Sequence, residues 1–462
     1  MNLQPSNLMT AARREGASVL IIVLWVCIGM VSIALYFANS MNYELKAADN
    51  RVNGLAADEA IEGAARYVSF VLSNYATNGA VPDNTLFACA AVPIGDARFW
   101  IIGRDPAINP SATEPYFALI DEGSKLNLNR VGTNTLSYLP NITTDFAQAV
   151  VDWRNTNGVY ATDYAAYGYP EKQAPFESVD ELRLVEGATE DMLVGDDLNR
   201  NGVLDLPTEK DELGTGQVAP GLIEYTTVYS REPNTHSDGS SLTNVNTGTL
   251  AQLRSLFQNA NINNGYVLGS NVYSNIHGHT NGPIRVPANP CASILDFYLR
   301  CYSNNVTSQQ FGLIYNDITI STNNFTYGRV NINTASQNVL IALFMGSGVD
   351  ENTAETAAQN LVQYRDQNRG YLSSVAWMVD ALGANNQVVA AMKARDVLTA
   401  HSYQFTADIA AVGAYGRGYR RVKFIFDVSE GSPKILYRQD LSRLGWALGT
   451  KVRQTLVAKQ TQ

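Results

Sequence analysis

The feature that most constrains this chain is an uncharged apolar run near its N-terminus. Residues 17–38, ASVLIIVLWVCIGMVSIALYFA, are 22 residues without a charge. As a helix, such a run is long enough to cross a hydrocarbon core about 30 Å thick. Arg13 and Arg14 precede it, and the first charges after it are Glu44 and Lys46. Because positive charge stays on the cytoplasmic side, the N-terminus is predicted to be cytoplasmic and the residues after the run to lie outside.

Two other interpretations compete for this run. A cleaved secretory signal has an apolar region of only about 7–15 residues and ends at a small-residue site. The present run is longer, and residues 41–50 contain no clean site of that kind. A plain membrane anchor would explain the hydrophobicity but not the junction that precedes it.

The junction, residues 13–18, reads RREGAS and resembles a type IV prepilin leader. The resemblance implies that a membrane-embedded prepilin peptidase cleaves between Gly16 and Ala17 and methylates the new N-terminus. Most members carry Glu at the fifth mature position, where this chain has Ile21. In such filaments that Glu pairs with the amine of a subunit already in place. A subunit without it suits the first position, at the tip, or a protein that never enters a filament.

The helix is predicted to continue beyond the membrane. Apolar residues recur at mostly three- and four-residue steps, which is the spacing of one helix face. They are Leu45, Ala48, Val52, Leu55, Ile61, Ala64, Ala65, Val68, Leu72 and Tyr75. We therefore expect one helix of about 60 residues whose second half packs on the globular part.

Composition limits the class of partner and gives no sign of catalysis. Apolar residues make up 45% of the chain and charged residues only 16%, with a net charge of −10. An acidic chain repels nucleic acid, so no nucleic-acid partner is expected, whereas divalent cations become more plausible. The sequence contains no nucleophile-elbow, zinc-protease or phosphate-loop motif, so the chain is not expected to be an enzyme.

Two stretches share a helical pattern, residues 125–182 and 329–378. Each has an Asn-x-Asn cap, a short apolar helix, a helix ending in Arg and a serine-capped third helix. A partial copy, with only the cap and first helix, starts at Asn244. These units resemble helix-hairpin-helix or SAM-like bundles, so duplicated helical subdomains are expected.

Similar units in competence proteins bind DNA through a glycine-rich hairpin, and residues 346–348 (GSG) lie at the corresponding place. However, Asp350, Glu351 and Glu355 follow, and no Lys or Arg lies between Arg329 and Arg365. Such a hairpin would bind phosphate weakly, so a structural bundle is favoured. A competence-type DNA receptor remains an alternative.

The two ends of the globular part are rich in β-formers. Residues 405–427 and 434–440 alternate approximately and flank a Gly-Ser-Pro turn, which indicates an antiparallel hairpin. Residues 97–102 and 116–121 are expected to be strands of the same sheet. The predicted fold class is therefore α+β: a pilin-like long N-terminal helix packed on an antiparallel sheet, with a large inserted α-helical domain.

A candidate calcium loop occupies residues 196–209. Oxygen-bearing side chains alternate around a glycine at the sixth loop position, which is how an EF-hand loop begins. The twelfth position is Thr208, with the carboxylate one residue later, and Pro207 opposes a regular exit helix. The predicted ligands are Asp197, Asn199, Asn201, Asp205 and Glu209. The alternative is a solvated polar turn.

The cysteines are Cys27, in the apolar run, and Cys89, Cys291 and Cys301. Cys291 and Cys301 enclose a short loop and are a disulfide candidate in an oxidising periplasm. The alternative is that both are buried free thiols.

Taken in order along the chain, these elements resemble the minor pseudopilin K family of type II secretion (general secretion pathway protein K). The resemblance rests on the leader, on DEGSKLNLN at 121–129, on DWR at 152–154, on the acidic loop and on YRQDL at 437–441. Residues 258–327 have no analogue that we can name.

The resemblance implies a subunit that caps the pseudopilus tip, primes its assembly and supports protein export across the outer membrane. It implies partners: other minor pseudopilins, the major pseudopilin, prepilin peptidase and the inner-membrane assembly platform. It also implies a single-pass inner-membrane location with a periplasmic globular part, and structural calcium. A type IV pilus minor pilin is a second alternative.

Nine segments are predicted along the chain. They are a leader (1–16), a transmembrane and stalk helix (17–79), a β region (80–124), a first helical repeat (125–195), the calcium loop (196–215), a partial repeat with an Asn/Ser-rich insertion (216–327), a second helical repeat (328–400), a β hairpin (401–445) and a tail (446–462).

Overall fold

The structure is a computed structural model that describes residues 12–104, 113–155, 164–206, 209–211, 214, 216–281 and 284–458. The first eleven residues of the leader lie outside this range, as do Pro207 and Thr208 of the candidate calcium loop.

Fourteen α-helices lie in the described residues. They are α1 (Ala12–Tyr75), α2 (Thr133–Leu136), α3 (Thr144–Trp153), α4 (Glu190–Val194), α5 (Leu222–Tyr225), α6 (Leu250–Asn259), α7 (Gly265–His277), α8 (Ile294–Tyr302), α9 (Ser308–Tyr315), α10 (Gln337–Met345), α11 (Glu351–Gln367), α12 (Trp377–Leu382), α13 (Gln387–Lys393) and α14 (Gly449–Ala458).

Sixteen strands, most of them short, lie in the same residues. They are β1 (Val92–Ile94), β2 (Ala97–Ile102), β3 (Ile120–Asp121), β4 (Leu126–Asn127), β5 (Thr226–Thr227), β6 (Arg231–Pro233), β7 (Thr243–Asn244), β8 (His279–Asn281), β9 (Ile284–Val286), β10 (Ile318–Thr319), β11 (Phe325–Tyr327), β12 (Val330–Asn331), β13 (Leu398–Thr399), β14 (Gln404–Val412), β15 (Arg420–Asp427) and β16 (Lys434–Asp440).

The N-terminal helix α1 runs through two environments. It has 64 residues, which at 1.5 Å per residue is about 96 Å. Its apolar first half is fully exposed, and it is long and apolar enough to cross a membrane. Its second half buries a stripe of mostly small side chains. The buried residues are Ala57, Ala60, Ile61, Ala64, Ala65, Val68, Val71 and Leu72.

The expectation of one long helix that packs through its second half is therefore confirmed. The predicted stripe began too early, because Leu45, Val52 and Leu55 are exposed. The apolar spacing there is that of one helix face, but the sheet begins to cover the helix only at about residue 53, where Asn53 and Gly54 become buried.

The main sheet is built from both ends of the globular part, as predicted. Its strand order is β1-β2-β14-β15-β16, all antiparallel, with β3 paired to one end of β14. The predicted hairpin around residues 431–433 is the β15–β16 pair. The predicted region 405–427 consists of two strands, β14 and β15, with a turn between them.

Alternation along these strands creates two apolar faces. One face packs against α1 and includes Phe99, Phe405, Ile409, Phe424 and Phe426. The opposite face includes Trp100, Ile102, Ala410 and Val412, and it is covered by Ala447, Leu448 and the half-buried side of α14. The segment expected to be a tail is thus part of the second core.

Asp121, at the end of β3, ties the sheet to the helices that follow. Its carboxylate accepts hydrogen bonds from the backbone N–H of Gly123 (2.7 Å), the hydroxyl of Ser402 (2.6 Å) and the side-chain amide of Asn331 (3.2 Å). Burial raises the pKa of Asp121 to about 6, although these hydrogen bonds oppose the shift.

Between β3 and β14 the chain forms three similar units, which we define by their bounding strands. The first unit spans residues 126–227, the second 243–319 and the third 330–399. Each is closed by a short parallel pair: β4 with β5, β7 with β10, and β12 with β13. All three contribute to one continuous hydrophobic core.

Each unit opens with the same Asn-x-Asn turn. The side-chain oxygens of Asn127, Asn244 and Asn331 each accept the backbone N–H two residues later, at 2.9 Å in every case. This is the local bond that makes Asn favourable at such a turn.

The second Asn of each turn then reaches a distant segment. Asn129 bonds to the backbone of Phe176, Asn246 to that of Cys291 and Asn333 to the carbonyl of Leu372. The sequence separations are 47, 45 and 39 residues. A serine follows two residues after each contacted residue: Ser178, Ser293 and Ser374.

The prediction of a partial middle copy is therefore wrong. The second unit contains α6, α7, α8 and α9 and its closing strand pair, just as the third contains α10 to α13. Most of residues 258–327, which had no recognisable analogue in the sequence, complete this unit. Cys291 occupies the position held by Phe176 and Leu372 in the other two.

We predict that Asn246→Ala destabilises the protein as strongly as Asn129→Ala. Each loses a two-bond bridge to a distant segment, and a buried backbone N–H is left unpaired, so we expect a loss of about 2 kcal/mol in unfolding free energy. Urea denaturation of the detergent-solubilised protein measures this. Asn324→Ala, at an exposed position, is the control. Equal stabilities of Asn246→Ala and Asn324→Ala would contradict the equivalence of the units.

Candidate functional site

The candidate calcium loop begins where α4 ends, at Gly195. This glycine has φ of 69°, and a Cβ there would lie 2.1 Å from the carbonyl oxygen of Ala219. The next residue, Asp196, donates its backbone N–H to the same carbonyl at 3.0 Å. The loop therefore leaves the helix in a direction that only glycine permits, and its start is fastened to the chain that follows it.

Asp197 organises the turn of the loop. One carboxylate oxygen accepts the backbone N–H of Asn201 at 2.9 Å, and the other accepts that of Gly202 at 2.7 Å. Gly202 has φ of 87°, which confirms the sharp turn predicted at the sixth position. Burial raises the pKa of Asp197, and the charge of Arg104 opposes this shift.

The other predicted ligands converge on the same place. The side-chain amides of Asn199 and Asn201 lie 2.6 and 2.8 Å from one carboxylate oxygen of Asp205. Glu209 closes the loop, because its two oxygens accept the backbone N–H groups of Asn199 (3.0 Å) and Asp205 (2.8 Å). The structure thus brings all five residues together, with Glu209 in the closing position.

The donor set fits a hard cation in type. Three carboxylates and two amides supply oxygens, which are the ligands of Ca²⁺. The side-chain oxygen of Asn199 is buried and has no hydrogen-bond partner among the described residues. Asn199 turns its amide nitrogen toward Asp205, so the amide would have to make a half-turn before its oxygen could face a cation bound to that carboxylate.

Other observations weigh against a preformed metal centre. Within the described ranges, no group of three or more His, Cys, Asp or Glu is placed to hold a metal ion. The carboxylates of Asp197 and Glu209 use both oxygens for backbone N–H groups. A cation would have to bind these oxygens through the lone pairs that do not accept a hydrogen bond. The loop therefore has suitable oxygen ligands, but they are not arranged as a complete coordination shell.

Arginines hold the loop to the main sheet from outside. Arg421 of β15 is fully buried and pairs with Asp408 of β14 through two bonds of 2.8 and 2.6 Å. The same guanidinium donates to the carbonyl oxygens of Asn199 and, at 2.9 Å, Arg200. Arg104 also donates to the Arg200 carbonyl, at 3.2 Å, and pairs with Glu224 at 2.7 Å.

Sequence reasoning missed these arginines. Strand alternation places Arg421 and Lys423 on the face opposite Val422 and Phe424. The sequence signal for this buried pair was one acidic and one basic residue, Asp408 and Arg421, inside two β-rich segments. Only the pairing register of β14 with β15 brings these two side chains together. Two buried opposite charges on neighbouring strands indicate a face that something else covers.

The glycine hairpin at residues 346–348 has a packing explanation. A Cβ on Gly346 would lie 2.1 Å from the hydroxyl oxygen of Thr135 and 2.8 Å from its Cα. Glycine is needed there because α2 of the first unit approaches α10 closely. Close packing against Thr135 therefore explains why residue 346 is glycine, and a bound phosphate is not needed to explain it.

The remaining predicted site residues are dispersed. Ile21 is exposed on the apolar part of α1, and Gly16 and Ala17 lie in the first turns of that helix. Cys291 and Cys301 are both buried free thiols, and burial raises the pKa of Cys291 to about 12. Their disulfide stays a prediction. No protein-family model matches this chain, and no curated protein matches its sequence.

We predict that Arg421→Met destabilises the protein by at least about 3 kcal/mol, because it leaves the buried carboxylate of Asp408 without its partner. Arg420→Met is the matched control, since the half-exposed Arg420 makes an exposed ion pair with Asp58 and a bond to the carbonyl of its neighbour Tyr419, and it should change stability by less than about 1 kcal/mol. Urea denaturation compares them. Similar losses for the two variants would show that the buried pair does not hold the loop and the sheet together.

Proposed function

We propose that this chain is the tip subunit of a type II secretion pseudopilus, a minor pseudopilin of the general secretion pathway protein K type. The observation that carries the proposal is the continuity of α1: one helix is apolar all round over residues 19–38, and it becomes one-sided from about residue 53, where an antiparallel sheet covers it. A filament subunit needs a helix that suits first lipid and later the packed centre of a filament.

The sequence at the start of this helix supports the same proposal. Arg13, Arg14 and Gly16 precede the apolar run in the order of a prepilin leader, and Ile21 replaces the usual Glu. A subunit without that carboxylate has no amine of a preceding subunit to pair with. This favours the first position in the filament over an internal one.

The three helical units support a terminal position for a physical reason. They interpose about 280 residues between β3 and β14, far more than a short strand connection needs. We propose that they are SAM-like, helix-hairpin-helix bundles that act as structure, and that their bulk prevents another subunit from packing above.

The proposed partners are the other minor pseudopilins, the major pseudopilin, prepilin peptidase and the inner-membrane assembly platform. The protein would be anchored in the inner membrane by α1 with its globular part in the periplasm, and it would not act as an enzyme. The acidic net charge and the packing role of Gly346 favour this function over that of a DNA receptor.

Processing at the N-terminus tests the proposal directly. Membranes from cells with and without prepilin peptidase would be compared by intact mass and N-terminal peptide analysis. We expect a mature chain that begins at methylated Ala17, formed only with the peptidase. Gly16→Leu should block cleavage, because a larger side chain would occupy the position before the cut bond. An intact Met1 start in the presence of the peptidase would overturn the proposal.

We further propose that the loop formed by residues 196–206 and Glu209 takes a structural calcium ion. Asp197, Asp205 and Glu209 would hold it with the amide oxygens of Asn199 and Asn201. Bound calcium would supply the charge that neutralises the clustered carboxylates. The residues themselves shape the loop, orient the amides and keep water from the buried side.

Calorimetric titration of the full chain in detergent tests this part. We expect one calcium to bind, magnesium to bind more weakly, and a hundredfold excess over Kd to stabilise the fold by about 2.7 kcal/mol. Asp205→Asn removes a ligand charge and should weaken binding at least about tenfold. Asp238→Asn, in an exposed turn, is the control and should bind as the unchanged protein does. Equal affinities for the two variants would contradict the site.

A further inference from the structure

A cleft lies where the main sheet meets the helical units, and we refer to it as the junction cleft. Its walls come chiefly from residues 77–85, which follow α1, from 116–125, which include β3, and from 333–339 and 365–373 of the third unit. Its volume is about 800 Å³, which falls within the roughly 300–1,000 Å³ of typical ligand sites.

Arg365 of α11 is a buried cation that lines this cleft. The residue is only 4% exposed, and its Nη1 donates to the backbone carbonyl oxygens of Ala335 (2.6 Å) and Ile332 (3.3 Å). Among the described residues, its Nε and Nη2 have no acceptor, and no carboxylate lies at ion-pair distance. Burial lowers the pKa of Arg365, and the charge of Asp366 opposes this only in part. A buried guanidinium in this state is costly unless an anion joins it.

The other charged groups of the junction cleft already have partners. The ion pairs in or beside it are Arg104–Glu224 (2.7 Å), Lys125–Glu122 (3.1 Å) and Arg369–Asp366 (3.9 Å). Asp83 and Asp121 accept hydrogen bonds from backbone N–H and hydroxyl groups. The ring of His401 lies 2.9 Å from Glu232. Arg365 therefore differs from these cations in having no carboxylate beside it.

The corresponding arginine of the first unit, Arg154, shows which part of this arrangement is structural. Arg154 donates to the carbonyl of Val131, as Arg365 does to that of Ala335. Val131 and Ala335 each lie four residues after the first Asn of the turn that opens the unit. The bond to this carbonyl is thus common to both units, whereas the junction cleft lies beside Arg365 and not beside Arg154.

The rest of the lining suits an extended peptide. Val81, Tyr116 and Leu119 present apolar surface, and the first two are exposed. Ser336 and Ser373 contribute hydroxyl groups. A peptide has apolar side chains for the first set, N–H and C=O groups for the hydroxyls and a carboxylate for the guanidinium. A small acid such as acetate would fill only a fraction of the volume.

We propose that the junction cleft binds an extended peptide segment through a carboxylate that pairs with Arg365. A C-terminal carboxylate and an Asp or Glu side chain present the same two oxygens, and either can accept parallel bonds from Nε and Nη2. This site is separate from the candidate calcium loop, and it does not depend on the proposed function.

Peptide libraries test the proposal on the full-length protein in detergent. Three randomised libraries of short peptides would be immobilised by their N-termini. The first has free C-terminal carboxylates and no Asp or Glu, the second is amidated and contains Asp and Glu, and the third is amidated and contains neither. We expect the first or the second to retain the protein at least about tenfold better than the third, which identifies the source of the carboxylate. No retention, or equal retention by all three, would overturn the proposal.

Two pairs of variants, each checked for folding by urea denaturation, locate the binding. Arg365→Lys keeps a charged donor for the carbonyl of Ala335 but removes the planar pair of N–H groups. Its affinity for the retained peptides should fall at least about tenfold. Arg154→Lys, the matched change in the first unit, should leave the affinity unchanged.

The second pair changes the space and not the charge. Gly370 lines the cleft, and a Cβ there meets no atom within 4 Å, so the fold can accept Gly370→Trp. This variant should bind the peptides at least about fivefold more weakly, because its ring takes up room in the cleft. Gly132→Trp, at an equally open position of the first unit, should bind them as the unchanged protein does. Equal affinities within either pair would overturn the proposal.

Discussion

The close approach of α1 to the main sheet is the contact on which the rest of the structure depends. Small residues make it possible: Ala57, Ala60 and Ala64 are completely buried under the strands. A Cβ on Gly418 would lie 2.3 Å from the backbone of Asn53, so the β14–β15 turn touches the helix backbone itself. Because the first half of α1 is apolar and exposed, this packed stretch is what joins that apolar half to the globular part of the chain.

The sheet has two faces that need cover, and different parts of the chain supply it. α1 covers one face, whereas the C-terminal segment and the candidate calcium loop cover the other. On that second face the buried Asp408–Arg421 pair can exist only because the loop carbonyls satisfy the remaining guanidinium hydrogens. The loop is thus a structural part of the sheet region whether or not a cation occupies it.

The three units share one local feature, the Asn-x-Asn turn, although the segment that the turn contacts lies at a different sequence distance in each unit. In each unit the Asn-x-Asn turn follows the first strand of a short parallel pair. The second Asn of the turn then bonds to the backbone of a segment roughly 40 residues away. Side chains pack continuously across the units, so they form one hydrophobic core rather than three. Asp121 then connects this core to the sheet through Asn331 and Ser402.

The sequence by itself determined the elements whose signal is local. The uncharged run and the three-to-four spacing predict α1, alternation predicts β2, β14, β15 and β16, and Asp197 to Gly202 predict a sharp oxygen-rich loop. Two of the three units could be recognised because their helices carry similar apolar and arginine patterns. Only the cap and first helix of the middle unit were recognised, because its α8 cap reads Cys-Ala-Ser where the other two units have Phe-Glu-Ser and Leu-Ser-Ser.

Only the tertiary structure decided which charges are buried together and what covers the second sheet face. The pairing of Asp408 with Arg421 follows from strand register, and the contact of Asn199 and Asn201 with the C-terminal carbonyls joins residues nearly 250 positions apart. Neither leaves a pattern within a short window of sequence. Hydrophobic periodicity reports that a face will be covered, but the partner that covers it is selected by the packing of the whole chain.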